Sequence, residues 1–490
     1  MSAVVEMESE VPTLGNLPEG WAAATLGEIG DYLNGRAFKA SEWSKSGRPI
    51  IRIQDLTGSK SKPNFFKGRA EKRYVVLPGD FLISWAATLG AYIWLGPEGV
   101  LNQHIFKVHS KIDHKFHYYL ANRILEELYQ HTHGSGMVHI TKGRFENIPV
   151  PIPPLAEQKR IVKKVEALLA RVNTARERLA RAPAILKRFR QGILAAAVTG
   201  QLTHSWRNSA DSSESALSLI ERLVGPGAIA IVPSDADPIE PPEIPDSWVW
   251  MRLEKLCRPQ RAITYGVIKL GGYVKDGVPT LRSSDVRWLY IDNYDVKCIS
   301  HKIASNYSRT FLKGGEILVT VRGTLGGVAV APADMQGFNI SREVALVPIL
   351  SELEPFYFCY AIASIPSQNW LREVTKGVTY RGINIRDLKN LPLAVPPLAE
   401  QREIVCRVEA LFKLADAIEK RVAAATIQAD KLTQAILAKA FRGELVPTEA
   451  ELARREGRDY ETAAQLLLRI KSERAAITES KPTGAVSTAQ

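Results

Sequence analysis

Two stretches of the chain share a long alternation of apolar and polar positions with the spacing of a helix. In Pro153–Leu202 the apolar residues Val162, Val165, Leu169, Val172 and Leu179 recur at three- and four-residue intervals, followed by Leu186, Phe189, Ile193 and Ala197. In Pro396–Leu445 the corresponding set is Val405, Val408, Phe412, Ala415, Ile418 and Val422, with Leu432, Ile436 and Leu437 beyond. This periodicity predicts two long helices with one apolar seam each, the pattern of a two-helix coiled coil. Both open on PPLAEQ, where prolines preset the first turn and Glu157 or Glu400 meets the positive end of the helix dipole. Both close near a glycine, Gly200 or Gly443, placed for a left-handed terminal residue. About 45 residues at 1.5 Å per residue make a rod of about 65 Å, a spacer rather than part of a small core. Pro183 interrupts the first pattern and predicts a local kink.

The second stretch repeats the first 243 residues later without a gap, and the segments before them are related too. LPEGWAAATLGEI (Leu17–Ile29) answers to IPDSWVWMRLEKL (Ile244–Leu256), and RPIIRIQDL (Arg48–Leu56) to VPTLRSSDV (Val278–Val286). LPGDFLISWAATLGAYIW (Leu77–Trp94) answers to LKGGEILVTVRGTLGGVAV (Leu312–Val330), each a β-rich run broken by a Thr-Leu-Gly turn. A helical patch follows in each half, and then a proline-punctuated extended strand runs straight into the long helix. After each long helix comes a looser segment with one short amphipathic helix, SALSLIERL (Ser215–Leu223) or TAAQLLLRIKSERA (Thr462–Ala475), and 480–490 reads as a disordered tail. The expected division is a globule at 1–152, a long helix at 153–202, a linker at 203–244, a second globule at 245–395, a second long helix at 396–445, and a short helix with tail at 446–490.

The fold class that follows is α+β: two mixed α/β globules and two long helices paired antiparallel about a pseudo-two-fold axis. Such pairing buries both seams and would hold the globules at opposite ends, as a dimeric reader places two heads on half-sites of a duplex. The helices have diverged less than the globules, which points to two different sequences being read across an unread gap.

Composition narrows the class. The chain has 490 residues, 45% apolar and 24% charged, ordinary for a globular protein. No run of 18 apolar residues is present, and MSAVVEMESE lacks the basic-then-apolar form of a signal peptide, so the expected compartment is the cytoplasm. Cys257, Cys298, Cys359 and Cys406 are scattered, without the spacing of a disulfide frame or a zinc ribbon. The formal charge of +12 is concentrated. Arg36–Arg73 carries eleven basic residues against three acidic ones, and the first long helix has the same balance. A basic excess of this kind suits a polyanionic partner, although a solvated surface produces it as well.

PPLAEQ opening a long helix, its return some 240 residues later, and the shared ending ILAxAxxGxL (Ile193–Leu202, Ile436–Leu445) resemble the specificity subunit of type I restriction–modification enzymes. The resemblance covers Leu17 to about Ala475. It implies two target-recognition domains on double-stranded DNA and an antiparallel coiled coil that docks two methyltransferase (modification) subunits, with restriction (motor and nuclease) subunits completing the enzyme. It also implies that this chain holds no cofactor, the partners using S-adenosylmethionine, ATP and Mg²⁺.

The residues themselves offer no catalytic constellation. No Gly-x-x-x-x-Gly-Lys-Ser/Thr phosphate loop is present, and Asn147-Ile148-Pro149 and Asn390-Leu391-Pro392 lack the second proline and the aromatic of amino-methyltransferases. Glu157-Gln158-Lys159 has the Glu-x-Lys form used by nucleases but sits at a helix start without an upstream Pro-Asp; a first-turn dipole contact fits it better. His104, His109, His114, His117, His131, His133 and His139 crowd the first globule without nearby thiols, a pattern of structural or DNA-facing histidines rather than a metal site.

Base edges are matched by Arg or Lys toward guanine and Asn or Gln toward adenine, from loops beside strands. Candidates in the first globule are Lys45, Arg48, Arg52, Gln54, Gln103, His104, His139, Thr141 and Lys142. In the second they are Arg261, Arg282, Ser283, Ser284, Arg322, Thr324, Ser341, Arg342, Tyr380 and Arg381. Any one of them serves equally well as a phosphate contact. Arg322-Gly323-Thr324 and Tyr380-Arg381-Gly382 stand out for a cation in a glycine loop, and Trp85 is expected at the place of Arg322 in the first globule. Two function classes remain open on residues alone: a DNA-reading adaptor, and a coiled-coil scaffold whose globules bind protein or RNA. A self-sufficient nuclease or methyltransferase is weakened by the missing motifs.

Overall fold

The computed structural model describes residues 16–59, 62–130, 141–209, 214–225, 238–375 and 382–479. It divides into two compact units, one made of 1–179 with 425–490 and the other of 180–424. Each unit therefore holds one globule, half of each long helix, and one of the looser segments.

The long helices span Leu155–Val198 and Leu398–Phe441, 44 residues each. The first continues through Pro183. Gly200 and Gly443 adopt φ of +74° and +77°, the left-handed ends the sequence predicts. Space enforces glycine there as well: a Cβ on Gly443 would lie 2.5 Å from Pro18, and one on Gly200 2.4 Å from Pro245.

In the first unit Val162, Val165 and Val172 are buried in one cluster with Ala429, Ile436, Leu437 and Ala440, and Leu169 and Leu179 are half-buried. In the second, Val408 is buried in one cluster with Ile193, Leu194 and Ala197, while Val405, Phe412 and Val422 are half-buried. Ile418 departs from the expected seam and is 38% exposed. Ala415, three residues before it, takes the fully buried place, and two helices alone enclose only a narrow stripe. Between the helices Arg176 pairs with Asp430 at 2.5 Å in the first unit, and Arg190 pairs with Asp416 at 2.6 Å in the second.

The globules repeat one plan. In the first, Ala22–Thr25 pairs antiparallel with Pro149–Ile152, and in the second Val249–Arg252 pairs with Pro392–Val395. These proline-rich strands feed the long helices, as their restricted φ requires. A four-stranded antiparallel sheet follows, ordered Gly30–Asn34, Ile105–Ser110, Phe81–Ser84 and Gly90–Ile93; its counterpart runs Thr264–Tyr265, Val344–Val347, Ile317–Thr320 and Val328–Val330. A smaller sheet contains one parallel pair in each globule, Arg48–Ile51 with Gly99–Leu101 and Val278–Leu281 with Asn339–Ile340.

PPLAEQ proves to be a clamp. The fully buried carboxylate of Glu157 accepts the indole N–H of Trp21 at 2.9 Å and the backbone N–H of Glu449 at 2.8 Å. Glu400 accepts Trp248 at 2.8 Å, Thr203 at 2.6 Å and Arg207 at 2.8 Å. Burial raises the Glu157 pKa, and these donors are what make an interior carboxylate tolerable. Gln158 and Gln401 each accept a backbone N–H at the head of the globule's helix, from Asp113 and Glu354. The looser segments close the same plan. Ala463 donates to the Gly20 carbonyl at 2.9 Å in one unit, and Ala216 to the Ser247 carbonyl at 3.4 Å in the other. Their helices span Glu449–Glu456 and Ala463–Glu479, and His204–Ser209 and Ala216–Val224.

Candidate nucleic-acid interface

The second unit gathers three turns at one end of its two sheets. Leaving Val278–Leu281, the chain turns through Arg282–Asp285, where the Asp285 carboxylate accepts the Arg282 backbone N–H at 2.7 Å and its guanidinium at 3.1 Å. The Ser284 hydroxyl donates to the same carboxylate at 2.7 Å. A second turn follows Ile317–Thr320, with the backbone N–H groups of Val321 and Arg322 donating to the Glu343 carbonyl. The Glu343 carboxylate accepts Ser283 Oγ at 2.8 Å and the Ser283 backbone N–H at 3.2 Å, which ties all three turns together. Gly323 sits at φ +72°, and a Cβ there would lie 2.8 Å from Ser283 Oγ.

This frame pushes some candidates out and pulls others in. Arg322, Thr324, Arg342 and Ser284 are exposed. The Arg322 guanidinium lies 6.0 Å from the ring centre of Tyr265, within cation–π range, and its backbone bridges to Gly382. Ser283 and Ser341 are buried, Ser341 accepting the Glu343 N–H at 3.3 Å. Arg261 is committed to an ion pair with the buried Glu316 and donates to the Phe311 carbonyl at 2.6 Å. These three shape the frame rather than face outward. Tyr380 and Arg381 lie outside the described residues, as does His139 in the first globule.

In the first unit Arg52 occupies the place of Arg282, its backbone N–H donating to Asp55 at 2.9 Å, but its guanidinium lies 5.2 Å from the Trp43 ring centre. Arg48 pairs with Glu98 at 2.6 Å, and Lys45, Gln54 and Gln103 are exposed. His104 adopts φ +70° and lies against Trp85, ring centres 4.9 Å apart. Trp85 donates to Asn34 at 3.1 Å and stacks on Phe106. Thr141 and Lys142 are exposed at the start of the short helix Lys142–Glu146, whose Phe145 packs on Tyr32 and Phe106. His117 is wholly buried between Tyr32 and Ser110, and among the described residues no three His, Cys, Asp or Glu side chains are grouped to hold a metal.

Matching the sheets residue by residue corrects one expectation. Ser84 faces Ile105 as Thr320 faces Val344, and the N–H of Trp85 donates to the His104 carbonyl as that of Val321 does to Glu343. Trp85 thus corresponds to Val321, and the place of Arg322 falls to Ala86. At the following position Ala87 holds φ +60° where the second unit has glycine. By the same matching Gln103 answers to Arg342, His104 to Glu343, Gln54 to Ser284 and Asn34 to Tyr265. Tyr265 and Glu343 were not singled out from sequence; Glu343 follows Ser341-Arg342 directly, but its reach back to Ser283 is a tertiary fact.

The profile of the type I restriction modification DNA specificity domain matches residues 18–182 and 265–426. The chain is 34% identical to the type I restriction enzyme EcoBI specificity subunit of Escherichia coli, over 96% of each chain. It is 30% identical to the EcoKI specificity subunit of Escherichia coli K12, over 94% of this chain and 97% of that one. Among solved structures, a chain from work on complex assembly and conformational transition of the type I R-M system superposes with a TM-score of 0.60 at 23% identity, covering 88% of this chain and all of the other. The HsdS subunit from Thermoanaerobacter tengcongensis gives 0.51 at 24% identity, covering 88% and 98%, so both show the shared fold. No helix among the described residues is long and apolar enough to cross a membrane. With its duplicated globules, its paired helices and relatives matched from end to end, the chain belongs to the family of type I restriction–modification specificity subunits.

Proposed function

We propose that this specificity subunit, the recognition rather than the catalytic component of its enzyme, reads a bipartite asymmetric site on double-stranded DNA, each globule taking one half. The paired long helices fix the number of unread base pairs between the halves and dock two methyltransferase subunits. Restriction subunits join that core in the cytoplasm, and the S-adenosylmethionine, ATP and Mg²⁺ chemistry belongs to the partners. One observation carries the reading: a single backbone frame occurs twice with different side chains, the exposed Arg322 and Arg342 on one unit against the buried Ala86 and the exposed Gln103 on the other. Arginine suits a guanine edge and glutamine an adenine edge, so two such heads favour unlike half-sites.

The test is to express the chain with its modification subunits in a host lacking other methylation and to map modified adenines genome-wide. One split, non-palindromic motif is the expected result. Absence of any motif, or a palindrome, would overturn the two-reader assignment.

A further inference from the structure

The second unit holds a side chain in a place that the first leaves open. Trp288 belongs to a loop inserted after Asp285 and lies along the outer edge of the four-stranded sheet. Val328 donates to the Arg287 carbonyl at 3.1 Å, and Leu289 to the Val328 carbonyl at 2.7 Å. The Trp288 indole packs on Phe412 of the second long helix, ring centres 6.0 Å apart, and donates to the Ala363 carbonyl at 3.4 Å. Tyr360 packs on the same phenylalanine at 6.2 Å.

Each receiving position has a counterpart in the first unit. The repeat of the long helices places Leu169 at Phe412. The matching hydrogen bonds from Asp113 to Gln158 and from Glu354 to Gln401 place Tyr119 at Tyr360 and Asn122 at Ala363. The Thr-Leu-Gly turns place Leu89 at Leu325. Leu89, Tyr119, Asn122 and Leu169 together line a groove of about 630 Å³, and no described residue fills it. The adjoining strand Gly90–Ile93 is the outer strand of its sheet, as Val328–Val330 is in the second unit.

We propose that this groove binds a large aromatic side chain, tryptophan above all, presented on an extended segment of a partner polypeptide. The chain's own Arg287–Leu289 segment shows the mode: an added strand supplies backbone hydrogen bonds while its aromatic residue fills the pocket behind. A buried indole there removes a large apolar area from water and finds a carbonyl for its N–H. Glu126 also lines the groove, which favours a basic residue beside the aromatic one, as Arg287 stands beside Trp288. This inference is independent of the DNA-reading assignment.

The probe is a fluorescein-labelled peptide of the chain's own sequence 285–292, titrated onto the full-length protein and followed by anisotropy. Saturable binding is expected, at least tenfold weaker for the peptide with Trp288→Ala. Two protein variants block the groove: Leu169→Trp fills it from the helix, and Thr88→Trp covers its rim from an exposed turn position. Each should weaken the peptide at least tenfold, and the thermal melt of each identifies a misfolded variant. No binding at millimolar peptide, equal binding of the alanine peptide, or full binding to folded Thr88→Trp protein would each overturn the proposal.

Discussion

The indole N–H of Trp21 reaches the Glu157 carboxylate at 2.9 Å across 136 residues of sequence. Trp248 and Glu400 repeat the bond at 2.8 Å in the other unit. Each pair pins the entry of a globule to the first turn of a long helix inside one unit. A bond to a buried charged acceptor contributes roughly 1.5–3 kcal/mol. Glu400→Gln removes the charge that holds Thr203, Arg207 and Trp248 and should destabilise the second unit by about that much. Hydrogen exchange is expected to quicken in 180–424 and not in the first unit; a uniform change would contradict separate clamps.

His117 makes the first unit sensitive to acid. Burial pushes its imidazole pKa down to about 3 from an ordinary value of 6.5. In the folded protein the ring stays neutral between those values, while the unfolded chain takes up a proton. Stability therefore falls as pH drops from about 6.5 toward 3, by up to roughly 1.4 kcal/mol per pH unit from this group. The second unit has Phe358 at the same place. His117→Phe should flatten the pH dependence of the urea midpoint of the first unit across that window; an unchanged slope would remove the explanation.

Arg322 is an exposed cation of the three-turn frame, its backbone held by Glu343 and bridged to Gly382. Arg322→Ala should cost about 1–3 kcal/mol of discrimination at one half-site and leave the other untouched. Binding to a panel of single-base variants checks this. An equal loss on every sequence would mark a phosphate contact instead.

The helix register makes the gap between half-sites testable. Seven residues add about 10.5 Å to a helix, roughly three base-pair steps of B-DNA. Matched heptads inserted in both long helices should lengthen the methylated motif by about three unread positions. An insertion in one helix alone puts Arg176–Asp430 and Arg190–Asp416 out of step, and assembly with modification subunits should fail. An unchanged motif after matched insertion would rule out the ruler.

Much of the architecture was legible because it is written twice: PPLAEQ, the closing glycines and the paired strands all recur, and repetition separates signal from accident. The outward candidates Arg322, Thr324 and Arg342 were legible because their turns carry glycine or lie between strands. Arg261, Ser283 and Ser341 were not, since their partners Glu316 and Glu343 sit far along the chain or act through folded loops. Trp85 was placed one residue off; the Thr-Leu-Gly turns and the strand ladders both set it against Val321, and the two turns differ in length only beyond that point, Ser84 facing Gly90 while Thr320 bonds Gly327. Glu157 read as a helix-start charge; that it also clamps an indole required the tertiary structure.

The composition of the first unit bears on synthesis. It needs Ala425 onward to complete its core, whereas the second unit is one unbroken segment, 180–424. A chain emerging from the ribosome can thus finish its second globule while the first still lacks half its helical support and the Glu449 backbone that meets Glu157. The earlier-made globule is therefore the one whose core is completed last, by residues translated after the whole second unit.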